Sequence, residues 1–465
     1  MDVTNLNIVV VGLGASGAAA ARFLENRGGH VTVTDSADET HFGAYLPGIR
    51  KLGIKTELGQ HHTETFENAD LIVVSPGVPH TIAPLKRAED RGIPVIGEIE
   101  LASRFIREPM IAVTGTNGKT TTSTLIGDMM RHAGCKVFVG GNIGTPLIDY
   151  VDGGEKADIL VVEVSSFQLD TIRDFRPRVA LLLNISEDHL DRYPDYAAYA
   201  ASKARIFENQ GPDDMAILNA DDPVVLSLGE TLTSRKGFFR HRRDDGIQTP
   251  TGAGIATIDE SHIAIDGYGG PGVDMDLSDM GLLGRHNLEN AAAAGLAALA
   301  AGGTPAGVTA ALDGFTGLSH RLEYVDSIRG VAYFNDSKAT NVGAVVRALD
   351  AFDRPIILIM GGRNKGNDFH LLAESIAKRT KKIITIGEAH KEIQAALGHV
   401  AAFEMALSMD DAVRKAHCVA LPGDAVLLSP ACASFDMFSS YAERGEVFCR
   451  VVKQLREQTE TRDHQ

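Results

Sequence analysis

Three times in this 465-residue chain a short aliphatic run breaks into glycine and then into a helix-like stretch. Ile8–Val11 enters Gly12-Leu-Gly14-Ala15-Ser16-Gly17. Met110–Val113 enters Thr114-Gly115-Thr116-Asn117-Gly118-Lys119-Thr120-Thr121. Ile356–Met360 enters Gly361-Gly-Arg-Asn-Lys365-Gly366. A run that is apolar throughout, with no alternation, suits a strand covered on both faces, as in a parallel sheet flanked by helices. Further runs of this kind are Val31–Thr34, Leu71–Val74, Ile159–Val164, Val179–Leu183, Ile383–Ile386 and Ala425–Leu428. The fold class expected is therefore α/β.

At roughly 150 residues per domain the length suggests about three domains. They are expected at 1–97, 98–317 and 318–465. The first is Rossmann-like. The second is a P-loop ATPase-like domain with a mostly parallel sheet, and the third is again Rossmann-like. A helix Glu98–Arg107 leads into the second. A Gly-rich stretch from about Ser234 to Asp279, with alternating pieces Ile255–Ile258 and His262–Ile265, reads as hairpins. An Ala-rich helix Asn287–Ala301 follows, with Asn287 as a plausible cap.

Acidic residues number 61 and basic ones 45, for a net charge of −16. Bulk charge thus argues against nucleic acid or an anionic membrane as partner. The four cysteines form no CxxC pair and read as reduced thiols, and the N-terminal apolar run is too short for a signal peptide or a membrane span. A cytoplasmic protein is expected.

The middle loop carries the sharpest chemistry. A glycine turn between strand and helix gathers backbone N–H groups at the positive end of the helix dipole. Lys119 would reach the β- and γ-phosphates of a nucleoside triphosphate, and Thr120 would hold Mg²⁺. The usual leading glycine is replaced by Val113, and Gly115 serves instead. The first loop has dinucleotide-fingerprint spacing, with Asp35 placed 18 residues after Gly17 to accept from a ribose hydroxyl. Such a loop recognises a pyrophosphate and a ribose, so NAD and another nucleotide diphosphate fit equally well. The turn Ser75-Pro-Gly-Val-Pro79 belongs at the same sheet edge.

Downstream, Glu163 sits inside an apolar run, where an unpaired carboxylate is costly, so Mg²⁺ is its expected partner. His189 stands among Glu187, Asp188 and Asp191 and is a ligand candidate. Lys203, in Tyr199-Ala-Ala-Ser-Lys-Ala-Arg, reads from its residues alone as part of a solvated helix face.

The ordered motifs Thr-Gly-Thr-Asn-Gly-Lys-Thr, Glu-Val-Ser-Ser-Phe-Gln, Asn-Ile-Ser-Glu-Asp-His-Leu-Asp-Arg-Tyr, Tyr-x-x-Ser-Lys, Gly-x-His-Asn-x-x-Asn, His-Arg-Leu-Glu and Asn-Asp-Ser-Lys-Ala-Thr-Asn resemble those of the Mur ligases. That family builds the peptide stem of bacterial peptidoglycan. The resemblance runs from Gly12 to about Phe448. Gly-Leu-Gly-x-Ser-Gly with Asp35, the run Gly141-Asn142-Ile-Gly144, and Leu428-Ser-Pro-Ala-Cys-Ala-Ser434-Phe435-Asp resemble the branch that adds D-glutamate.

The resemblance implies ATP-dependent joining of D-glutamate to UDP-N-acetylmuramoyl-L-alanine by a monomer. It places Gly14, Ala15, Ser16, Asp35, Ser75 and Asn142 at the UDP substrate. It places Gly115–Thr121, Asn287, Asn290, Arg321 and Asp336 at ATP. Lys338, Thr340, Lys365, Ser434, Phe435 and Tyr441 fall to D-glutamate. Family members often have Leu and Phe where Phe435 and Tyr441 stand. Two Mg²⁺ ions are implied, held by Thr120, Glu163, His189 and Lys203, the last as a CO₂-derived carbamate. Lys119, Glu163, His189 and Lys203 would carry the chemistry. A sister ligase adding another amino acid, an NAD-dependent oxidoreductase and a non-catalytic nucleotide-binding protein are the rival readings.

Overall fold

In a computed structural model the protein is described at residues 1–188, 192–242, 254–268, 270–278, 284–315 and 317–463. Three sheets are present among the described residues.

The first contains β1 (Asn7–Val11), β2 (His30–Asp35), β3 (Lys55–Leu58), β4 (Leu71–Val74) and β5 (Val95–Gly97), all parallel, in the order β3-β2-β1-β4-β5. The chain leaves β1 toward β2 and β3, then returns to β4 on the opposite side. The crevice where the order reverses opens at the carboxyl ends of β1 and β4, the usual ligand position in such sheets. The expected loops Gly12–Gly17 and Ser75–Pro79 both sit there.

The second sheet contains β6 (Met110–Thr114), β7 (Val137–Gly141), β8 (Ile159–Glu163), β9 (Val179–Leu182), β10 (Met215–Asn219), β11 (Arg235–His241), β12 (Gly254–Asp259), β13 (His262–Gly267) and β14 (Gly270–Asp276). Its order is β14-β13-β12-β11-β10-β9-β6-β8-β7. β6 and β8 are buried at every residue. The expected hairpins are found for β12, β13 and β14, which pair antiparallel, but β11, at the start of the same stretch, runs parallel to β10 and β12.

The third sheet contains β15 (Glu323–Ile328), β16 (Val331–Asn335), β17 (Ile356–Gly361), β18 (Thr380–Ile386), β19 (Ala402–Met405) and β20 (Ala425–Leu428), in the order β15-β16-β20-β17-β18-β19. Only β15 runs antiparallel. Ile356, Leu358 and Met360 of β17 pack into one core, and Ile357 and Ile359 into the core on the other face. At about 1.5–3 kcal/mol per fully buried aliphatic side chain, such two-sided burial is the main term holding the sheet.

The chain divides into two compact units. One comprises Met1–Ile185, Asp195–Leu277 and Glu289–Asp313; the other comprises Ser186–Pro194, Ser278–Leu288 and Gly314–Gln465. Two expectations fail locally. The helix expected over Glu98–Arg107 ends at Ser103 and unwinds through turns at Phe105 and Ile106, ahead of Pro109. The Ala-rich helix begins at Arg285, so Asn287 lies in its first turn and is not its cap; its N–H donates to the Gly284 carbonyl (3.0 Å), and Gly284 makes the turn at φ +92°.

Candidate active site

β6 runs into the loop Gly115–Gly118, and the helix Lys119–His132 begins where the loop ends. Gly115 and Gly118 hold φ of +151° and +88°, which L side chains avoid. A Cβ on Gly118 would lie 2.2 Å from Asn290 Oδ1, so this glycine is required by packing as well. Asn290 is buried and also accepts from Thr122 Oγ1 (3.3 Å). It therefore braces the loop from behind. Asn184, two residues past the end of β9, clamps the loop: its Oδ1 accepts from the Asn117 N–H (2.9 Å), and its Nδ2 donates to the Asn117 carbonyl (3.1 Å). Lys119 folds over the loop, donating to the carbonyls of Gly115 (2.9 Å) and Thr116 (3.0 Å). Thr120 and Thr121 fill the first helical turn.

Glu163 closes β8 and is buried. Its Oε1 accepts from Asn142 Nδ2 (2.8 Å), while its Oε2 has no partner among the described residues. A buried carboxylate oxygen without a donor is costly in water-free surroundings and is stabilised by a cation.

Lys203 contradicts its reading as a solvated residue. It is 2% exposed, donates to the Gly115 carbonyl (2.9 Å) and stands 4.6 Å from the Tyr199 ring centre. Tyr199 OH lies 3.2 Å from Thr116 Oγ1. Two lysines thus share one carbonyl of the glycine loop. His189 lies outside the described residues; among those described, no cluster of three His, Cys, Asp or Glu side chains is arranged to hold a metal.

In the first sheet, Gly12 (φ +94°) starts the loop and Gly14 precedes the helix Ala15–Asn26. A Cβ on Gly17 would meet the Gly12 carbonyl at 1.9 Å, whereas one on Gly14 would meet nothing within 4 Å. Gly17 thus serves close packing, and Gly14 borders open space. Ala15 is exposed and Ser16 half-buried beside it. Asp35 accepts from the N–H groups of Leu13 (2.8 Å) and Ala37 (2.9 Å), and Ser75 Oγ donates to the Gly12 carbonyl (3.0 Å). Both side chains shape the loop itself.

In the second unit, three loops meet at the carboxyl edge of neighbouring strands. They follow β16, β20 and β17. The Ala431 N–H donates to the Ala339 carbonyl (2.9 Å), and Arg363 and Ala433 exchange backbone bonds (2.9 and 3.0 Å). This stitching gathers Lys338 and Thr340 from the first loop, Ser434 and Phe435 from the second, and Lys365 from the third. Lys338 lies 5.1 Å from the Tyr441 ring centre, and Lys365 lies 6.0 Å from that of Phe435. Ser434 is buried, while Phe435 is 61% exposed. Asp336, buried, accepts from Ser429 Oγ (2.8 Å) and the Leu322 N–H (3.3 Å). Burial pushes its carboxyl up to about 7, against the pull of Ser429 and Arg321.

Family models match along the chain: the MurD-like N-terminal domain at residues 6–97, the Mur ligase middle domain at 113–298, and the Mur ligase glutamate ligase domain at 320–432. The chain belongs to the Mur ligase family. Among its relatives is the UDP-N-acetylmuramoylalanine–D-glutamate ligase of Desulfosudis oleivorans, 52% identical over 457 residues, covering 98% of each chain. That of Desulfatibacillum aliphaticivorans is 49% identical, over 98% of this chain and 100% of the relative. Of solved structures, a pseudomurein peptide ligase type C from Methanothermus fervidus shares the fold with a TM-score of 0.61 at 20% identity, over 97% of this chain and 100% of that one.

Within this Mur ligase, the residues expected at ATP divide between the two units. Gly115–Thr121 and Asn290 belong to the first; Asn287, Arg321 and Asp336 belong to the second. Sequence reading missed Asn184 and Tyr199 as supports of the loop. It also missed Arg444, fully buried, which donates to the carbonyls of Ser337 (2.9 Å), Cys432 (3.1 Å) and Gly361 (3.4 Å) and so ties all three C-terminal loops together. A lone arginine in a polar helix gives no local sign of burial. The signal for Asn184 was present: a polar residue ending an apolar run, like Glu163.

Proposed function

We propose that this chain is an ATP-dependent ligase that joins D-glutamate to UDP-N-acetylmuramoyl-L-alanine in the cytoplasm, forming ADP and phosphate. The observation that carries the reading is the corner at Gly115: a phosphate-type loop, two lysines on one carbonyl, and a buried carboxylate with one oxygen unpartnered. The full-length likeness to D-glutamate ligases supports D-glutamate over other amino acids. The working unit is a single chain with domains 1–97, 98–317 and 318–465, which bring the UDP substrate, ATP and the amino acid respectively.

A carboxylate does not condense with an amine in neutral water. In the first step an oxygen of the L-alanyl carboxylate bonds to the γ-phosphorus and the bond to the β-phosphate oxygen breaks, giving an acyl phosphate and ADP. In the second the neutral amine of D-glutamate bonds to the acyl carbon, phosphate leaves with the C–O bonding pair, and the amine's proton passes to a base, His189 or a carboxylate. Lys119, the loop N–H groups and Arg321 supply positive charge to the transferring phosphoryl group. Gly14, Ala15, Ser16, Asp35 and Ser75 take the uridine diphosphate, and Asn142 the muramoyl part. Lys338, Lys365, Thr340 and Ser434 suit the two carboxylates of D-glutamate, beside Phe435 and Tyr441.

The residues fit Mg²⁺. Thr120 and Glu163 would hold one ion, with phosphates completing a shell that Mg²⁺ fills with few protein ligands; bound there, it would neutralise phosphate charge. His189 and Lys203 would serve a second. As a cation Lys203 is an unsuitable ligand. Its neutral amine would add to CO₂ through a new N–C bond, release a proton and become an anionic carbamate.

The test is ADP release in the presence of UDP-N-acetylmuramoyl-L-alanine with D-Glu, L-Glu, L-Ala or meso-diaminopimelate. Release with D-Glu alone is expected. Release with another amino acid would point to a sister ligase, and tight NAD binding would revive the dehydrogenase reading.

A further inference from the structure

If the ligase reading holds, one substrate must reach from the first sheet to the corner at Gly115, both within the first unit. The short helix Leu147–Asp152 connects the two places. It continues from the loop Gly141–Pro146, which is closed by the Gly141 N–H to the Thr145 carbonyl (2.9 Å). Asn142 ties that loop to Glu163 twice, through its N–H to the Glu163 carbonyl (2.9 Å) and its Nδ2 to Oε1 (2.8 Å). From the first sheet, Arg22 on the helix behind the Gly12–Gly17 loop donates to Asp149 (2.5 Å) and Asp152 (3.4 Å).

Glu98 holds the same helix from the linker after β5. It is 1% exposed, and its Oε1 accepts the Ile148 N–H at 2.6 Å, with the Leu147 N–H also turned to it. Its Oε2 has no partner among the described residues. Two residues on, Glu100 anchors the linker itself: its Oε2 accepts from the N–H groups of Arg173 (2.9 Å), Asp174 (3.0 Å) and Phe175 (2.9 Å). An apolar residue would fill the Glu98 position without the desolvation that a buried, half-satisfied carboxylate carries. The place instead holds a group that grips a helix end by its backbone.

We propose that Glu98 and Arg22 are positioning residues for the UDP substrate. Together they hold the helix Leu147–Asp152 as a spacer between the uridine diphosphate loop and the Asn142–Glu163 corner, and so set the length of substrate accepted. This rests on the ligase reading above. It separates binding of the whole substrate from binding of its nucleotide end.

Binding of UDP-N-acetylmuramoyl-L-alanine and of UDP alone is measured by calorimetry on the full chain, with KM for ATP alongside. Arg22→Met, at a 43% exposed side chain, and Glu98→Ala are expected to weaken the whole substrate about tenfold, the scale of one lost hydrogen bond to a charged group. UDP affinity and the KM for ATP should stay within about twofold. Glu98→Gln retains an acceptor oxygen and should recover most of the loss. Variants that bind the whole substrate as wild type does, or lose UDP, ATP and substrate in parallel, would overturn the inference. If Glu98→Ala does not fold, Arg22→Met decides alone. Wild-type chain that fails to bind the UDP substrate sinks the ligase reading, and this inference with it; wild-type turnover with unchanged variants sinks only the inference.

Discussion

The two glycine loops of the first unit follow the same backbone plan and put it to different uses. At Gly12–Gly17 the supports are a carboxylate and a hydroxyl that bind the loop's own backbone, and Gly14 faces open space. At Gly115–Gly118 the supports are two asparagines, and the loop is overlaid by Lys119 and Lys203. The first loop offers shape and N–H donors. The second adds two lysine side chains gathered on one of its carbonyls. Binding a diphosphate needs only the former; moving a phosphoryl group needs both.

The comparison is broken most severely at the second loop's charge. Lys119→Ala should lower kcat by about 10²–10³-fold, the scale for removing one preorganised group at a developing charge, with little change in KM for the UDP substrate. Steady-state ADP release reads both. Lys203→Ala should also lose most activity, and a small added carboxylate should restore part of it, because the proposed carbamate is an anion. Wild-type activity in that variant would remove the carbamate from the mechanism.

Glycine substitutions sharpen the contrast between packing and access. Gly17→Ala puts a Cβ against a backbone carbonyl that cannot retreat and should destabilise the chain by about 1–3 kcal/mol, read as a lower Tm. Gly14→Ala meets open space, so stability should hold while UDP affinity falls. Equal effects on Tm at both positions would contradict the division of labour.

The smallest effect expected is on pH. Burial, with Asp149 nearby, pushes the Glu98 carboxyl up to about 7 from 4.5. Its raised native value means the folded chain holds the proton more tightly than the unfolded one. The associated stability is full below pH 4.5, declines as pH rises toward 7 and is flat above. Glu98→Gln should flatten that part of the curve in urea titrations at pH 5, 6, 7 and 8.

Much of this was legible along the chain, for a local reason. Ile8–Val11, Met110–Val113 and Ile356–Met360 announce themselves because a strand covered on both faces has no polar positions. Glycine must follow where the backbone turns into a phosphate-type loop. The misreadings are also physical. Asn287 looked like a cap because Asn followed by an Ala-rich run fits one, but Gly284 turns the chain earlier. Lys203 looked solvated because an isolated helix cannot show what covers it.

The sequence alone therefore determined the three βα glycine loops, the hairpins between them and the family. Tertiary structure decided the rest. It placed β20, nearly last in the chain, between β16 and β17, and so gathered three loops from distant segments into one edge. It set Asn290 behind Gly118 from 172 residues away, Asn142 on Glu163, and two acidic side chains of the linker into the interior. These are hydrogen bonds and packing contacts between remote segments. Local propensity and periodicity describe what a segment prefers by itself, and carry no record of which remote segment will meet it.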